Sequence, residues 1–178
     1  MPMTVWEHQE FQKKAYADKL VVGVDRIFAR RFYTNTSVQK MRSLTGEPVP
    51  IAKAAVMLAF IIGPLLVVAA SVLTFMGLEW WGLLAVPAGI VVYIYYQGLS
   101  VLGRSRLTPI SIITMAAIAV SPFGILPVRI AESLCCFSAA LWCGRFQYVG
   151  STFFVRALII RNVKAFNALE GELVIRED

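Results

Sequence analysis

Arg129 and Glu132 stand three residues apart inside a largely apolar stretch, the spacing that sets two side chains on one face of a helix. Ionisable groups near hydrocarbon are costly, so such a pair either lines a polar path or binds an ion. The plainer reading, mutual neutralisation at the end of a span, outweighs it. Arg104 and Arg106 suit a phosphate or an anionic headgroup, although two arginines in a turn are also an ordinary topology signal. Cys136 and Cys143 are seven residues apart and share a helical face, with Cys135 turned away. A thiolate metal site needs more ligands, and the one histidine, His8, is remote, so the thiols read as small apolar side chains. Paired-histidine haem attachment is excluded by the same count. Asp18 and Asp25 share a helical face but lie among lysines and arginines. The chain has no Gly-x-Ser-x-Gly elbow, phosphate loop or His-Glu-x-x-His, so no catalytic residue, metal or cofactor is assigned and no enzyme is expected.

The elements that must carry these residues are dominated by one run. Residues 54–78 contain no charged side chain, about the length that a helix needs to cross a bilayer. With 58% hydrophobic residues and a mean hydropathy of +0.68, apolarity is concentrated by segment and not by face. A net charge of +6 and a pI near 9.5 suit nucleic acid or an anionic membrane surface. Placement of the cations beside apolar runs favours the membrane, and no nucleic-acid partner is expected. The N-terminus lacks an apolar core followed by a small-residue cleavage site, so no cleaved secretory signal is expected.

Four apolar runs follow. The first holds Gly63-Pro64, a candidate hinge that should kink the helix, with Lys53 at its start to snorkel toward headgroups. The second runs from the Glu79-Trp80-Trp81-Gly82 turn to Leu102, the third over 107–126, and a weaker fourth over 128–149. Lysine and arginine bias places both termini on the cytoplasmic side, in the inner membrane for a bacterial source. The alternative is two full spans plus a re-entrant hairpin over 107–149.

Both ends read as helices with one apolar face. Leu20, Val24, Ile27, Phe28 and Phe32 recur at threes and fours within a helix over 5–42, followed by a rigid Gly46-Glu47-Pro48-Val49-Pro50 entry. Val155, Ile159, Val163, Phe166 and Leu169 repeat similarly, ending near Gly171 before a short ELVIRED tail. Arg30, Arg31, Arg161 and Lys164, with Arg104 and Arg106, are the candidate anionic-lipid contacts. The ends either lie on the membrane surface or pack on each other or on neighbouring subunits.

The expected fold is an all-α polytopic integral membrane protein. Residues 1–52 form a basic cytoplasmic segment, 53–149 a four-helix transmembrane bundle, and 150–178 an amphipathic cytoplasmic helix and tail. The expected function is a non-enzymatic membrane subunit of a homo-oligomer or a larger complex, such as secretion or conjugation machinery, a membrane effector or an energy-converting complex. One alternative is an oligomeric pore lined by Ser111, Thr114, Ser121 and Glu132. A second is a small transporter or membrane enzyme using the Gly63-Pro64 break.

Overall fold

The computed structural model describes residues 2–17, 19–46 and 50–177; Asp18 and the Glu47-Pro48-Val49 part of the rigid entry lie outside them. Two compact units divide the chain, one of Met1–Met57 with Tyr148–Asp178 and the other of Leu58–Gln147.

In the first unit, the single helix expected over 5–42 is four elements: α1 (Val5–Tyr16), β1 (Leu20–Val24), α2 (Arg26–Asn35) and α3 (Val38–Thr45). Each break has a local cause. The Asp25 carboxylate accepts the Phe28 amide at 2.8 Å and starts α2, and the Ser37 hydroxyl accepts the Lys40 amide and starts α3. Gly46, at φ 73°, ends α3. The strand was hidden by an arithmetic coincidence: Leu20 and Val24 are four apart, a spacing that helical and alternating patterns share. Leu20, Val22 and Val24 are buried while Val21 is exposed, the alternation of a strand, and the β-branched valines suit it.

β1 pairs antiparallel with β2 (Leu173–Glu177), Leu20 opposite Glu177 and Val24 opposite Leu173. The ELVIRED tail is therefore mostly a strand, and the fold is mainly helical and not all-α. From the C-terminal part this unit also takes the end of α7 (Val128–Arg161) and α8 (Val163–Leu169), whose N-cap Asn162 separates them. The two ends of the chain share one core of Phe11, Phe32, Tyr33, Met41, Val155, Ile159 and Phe166. Phe11 and Phe166 meet edge to face at 5.0 Å.

Helix C-termini leave carbonyls without partners, and in this unit distant side chains supply them. His8, 6% exposed, donates Nε2–H to the Ile159 carbonyl at the end of α7 at 3.0 Å. Asn162 donates Nδ2–H to the Leu44 carbonyl at the end of α3. Lys53, expected to reach toward headgroups, instead donates to the Tyr33 and Thr36 carbonyls at 2.9 and 2.6 Å, closing α2.

At α1, Thr4 and Glu7 form a reciprocal capping box. The Thr4 backbone N–H and hydroxyl both donate to the Glu7 carboxylate at 2.7 Å, which holds its pKa below the ordinary 4.5. A depressed carboxylate stabilises the folded form fully above its unfolded value and loses that contribution as pH falls through the lowered one. The protection factors of the α1 amides, with the intrinsic pH dependence of exchange divided out, should therefore fall on acidification below pH 4.5, and Glu7→Gln should abolish that pH-dependent step. An unchanged acid response in Glu7→Gln would place its origin elsewhere.

The second unit holds the rest of α4 (Ile51–Leu78), then α5 (Gly82–Leu102), α6 (Thr108–Val120) and the earlier part of α7. Glu79, at φ 48°, and the Trp80-Trp81 turn reverse the chain between α4 and α5. The reversal requires a small residue at its corner: a Cβ on Gly82 would lie 2.9 Å from Phe75 Cα. Apolar side chains also face outward here, Leu65, Ile94 and Ile112 among them.

The expectation of four membrane spans is overturned, together with its two-span and re-entrant alternative. By length and composition, one helical run among the described residues is long and apolar enough to cross a membrane, Ile51–Leu102, which takes in α4, the Glu79–Trp81 turn and α5, and 22% of its most apolar part is buried. α6 has 13 residues, about 20 Å of helix against the roughly 30 Å of a hydrocarbon core; a 3-10 turn over Ser121–Phe123 follows, and Gly124, at φ 71°, ends it. α7 is long, but Glu132, Arg145 and Gln147 dilute it below that apolarity. The bilayer partner, the integral membrane location with cytoplasmic termini, the oligomeric membrane assembly and the pore were read from these spans together with the lysine and arginine bias between them, and they are overturned with the span count.

Candidate ligand-binding site

An apolar cavity of about 270 Å³ lies among α4, α5 and α7 within the second unit. Its walls include Val67, Val86, Ile90, Leu134 and Phe137, and the close approach of small residues shapes it: Ala70, Ala85 and Gly89 leave room where larger side chains would fill it. A Cβ on Gly89 would meet nothing nearer than Phe137 Cε2, at 3.9 Å.

Three hydroxyls interrupt this lining: Ser71, Thr74 and Ser133. Ser71 and Thr74 sit three apart on α4, so they share a face. Ser71 donates to the Val67 carbonyl at 2.8 Å. Ser133, 6% exposed, crosses from α7 to donate to the Ala70 carbonyl at 2.8 Å and lies 2.6 Å from the Thr74 hydroxyl. Thr74 in turn reaches the Ala70 carbonyl at 2.8 Å. Each hydroxyl carries one hydrogen and two lone pairs. The two hydrogens of Thr74 and Ser133 serve the three contacts among these hydroxyls and the Ala70 carbonyl, so with every hydrogen engaged the spare capacity is that of lone pairs.

The residues singled out from sequence lie elsewhere. Arg129 and Glu132 do meet, at 3.2 Å, with side chains 55% and 46% exposed; an exposed pair of this kind contributes about 0–1 kcal/mol. Arg104 and Arg106 are both exposed in the α5–α6 turn. Beside them, Arg145 donates to the Ser105 carbonyl and lies over the Trp142 ring. Arg30 donates to the Tyr148 hydroxyl at 2.5 Å and lies over that ring. Arg31, Arg161 and Lys164 are exposed on the first unit.

Gly63 is buried and Pro64 exposed, and α4 passes through both as one helix. Gly63 is where other helices come close: a Cβ there would lie 3.4 Å from Tyr93 Oη and 3.5 Å from Cys143 Cβ. One turn earlier, Gln147 donates Nε2–H to the Ala59 carbonyl at 3.1 Å. Ser111 accepts from Trp142 Nε1 and Thr114 donates to the Ile110 carbonyl, so these two of the residues proposed to line a pore are engaged locally. The three cysteines are free and half-buried, and burial pushes the Cys143 thiol up, which lowers its thiolate fraction. No three His, Cys, Asp or Glu side chains cluster as metal ligands among the described residues.

Sequence reasoning passed over Ser71, Thr74 and Ser133. The available signal was the pair of hydroxyls at i and i+3 inside an apolar run. Their convergence with Ser133, 59 residues away from Thr74, had none. No protein-family model matches the chain, and no curated protein or solved structure matches it either.

Proposed function

We propose that this chain is a non-catalytic binding module whose second unit takes up a small, mostly apolar molecule carrying one hydrogen-bond donor. The carrying observation is the cavity of about 270 Å³ with Ser71, Thr74 and Ser133 in its lining. Its size is near the lower end of small-molecule pockets, which suits a single ring or a short branched chain. Apolar walls supply affinity through burial, and the acceptor-only network selects a phenol or an alcohol over a ketone, whose oxygen would meet lone pairs without a hydrogen.

Calorimetric titration of the purified chain with 4-butylphenol and with butylbenzene tests this reading. The phenol should bind about tenfold more tightly, the ratio expected for one added hydrogen bond. Ser133→Ala should narrow that ratio while leaving butylbenzene binding intact. Gly89→Leu should abolish both by filling the cavity, and Gly89→Ala should spare both. Absence of binding by either probe, or binding indifferent to Gly89→Leu, would overturn the proposal.

A further inference from the structure

The first unit carries a second cleft of different chemistry. It has a volume of about 310 Å³ and lies where α2 and α3 meet α8, floored by Phe28, Phe32 and Leu44 and bordered by Arg31 and Lys40. From Arg26 to Thr45 the chain contains Arg26, Arg30, Arg31, Lys40 and Arg42 and no acidic residue, and no carboxylate lines the cleft. An apolar floor with cations at its edge is an amphipathic site, in which one end of a ligand gains by leaving water while the other stays half-solvated.

The backbone around it is consistent with an anion. The C-terminus of α2 would present unpaired carbonyls and a negative dipole end there. Lys53 already occupies the Tyr33 and Thr36 carbonyls, and the Thr36 amide bonds to the Phe32 carbonyl. The repulsive end of that helix is thereby neutralised from behind. Arg31 and Lys40 are both exposed, and neither closes an ion pair with an acid among the residues lining the cleft.

We infer that this cleft binds a small amphipathic anion, its apolar body on Phe28, Phe32 and Leu44 and its carboxylate or phosphate head between Arg31 and Lys40. The site is independent of the cavity in the second unit and stands or falls separately from it. Recognition divides between the two ends of the ligand: the floor holds any apolar body of fitting size, and the cations reject a neutral or cationic head.

Calorimetry with 4-phenylbutyrate, phenyl phosphate, 4-phenylbutanol and inorganic phosphate resolves both ends. Phenylbutyrate or phenyl phosphate should bind at least about tenfold more tightly than phenylbutanol or inorganic phosphate; the tighter of the two anions identifies the head. Arg31→Gln and Lys40→Gln should each weaken that anion several-fold and leave phenylbutanol unchanged. Arg42→Gln removes the same charge from an exposed position outside the cleft and should have little effect. Ala168→Trp, at an exposed position on the cleft wall, should block the anion, while Gly89→Leu in the other unit should not. Circular dichroism confirms that each variant is folded. Equal binding of phenylbutanol, weakening by Arg42→Gln as large as that by Arg31→Gln, or undiminished binding in Ala168→Trp would each overturn the inference.

Discussion

Phe166→Ala is expected to destabilise the first unit by about 3–5 kcal/mol, the range for deleting a large aromatic side chain from a closed core. Phe166 is 2% exposed and is the largest of the fully buried side chains. It meets Phe11 at 5.0 Å and the His8 ring at 6.1 Å, so its removal opens a cavity between the two chain ends and not merely beside α8. A urea titration followed by hydrogen exchange at β1 amides measures the loss. Protection should fall in β1 and α1 together, because both ends of the chain share this core. A loss confined to α8, with β1 unaffected, would mean that the ends are stabilised separately.

The second large effect concerns a lysine. Lys53→Met should cost about 2 kcal/mol, since charge-assisted hydrogen bonds contribute roughly 1.5–3 kcal/mol. The methionine keeps most of the apolar stem, so the difference isolates the ammonium bound to the Tyr33 and Thr36 carbonyls. Arg42→Met, at an exposed position on α3, should stay within about 0.5 kcal/mol. The urea midpoint and the exchange rates of the last α2 amides give both values. Equal effects of the two substitutions would show that Lys53 contributes only a surface charge.

Much of the helical content was legible in the sequence, and the signals were local. The uncharged run from Ala54 made α4 readable, the second run ended at Leu102 as α5 does, and Arg129 with Glu132 met as their spacing requires. Errors arose where two patterns coincide or where a charge was interpreted by its neighbours in sequence. Leu20 and Val24 fit a helix as well as a strand, and only pairing with Leu173–Glu177 decided between them. The alternation of charged turns with apolar runs suggested repeated crossings, yet α6 is too short and α7 too polar to match the Ile51–Leu102 stretch. Of the candidate cavity, Gly89 and the Ser71–Thr74 pair were visible as residues but not as a site. A cavity is a property of three helices meeting, and Ser133 joins it from 59 residues beyond Thr74.

By itself, then, the sequence held what depends on near neighbours: the caps Thr4, Asp25, Ser37 and Gly46, each acting within one turn although the reading of one helix over 5–42 ran past Asp25 and Ser37, and the strong apolarity of α4 and α5. Tertiary structure alone decided how the ends of the chain are used. His8, Lys53 and Asn162 each donate to a helix-end carbonyl 17 or more residues away, and Arg31 and Lys40 border a cleft that α8 completes. The reason is the range of the forces involved: caps and periodicity act within a turn or two, whereas an unpaired carbonyl or an apolar wall can be satisfied by any segment that the fold brings within a few ångströms.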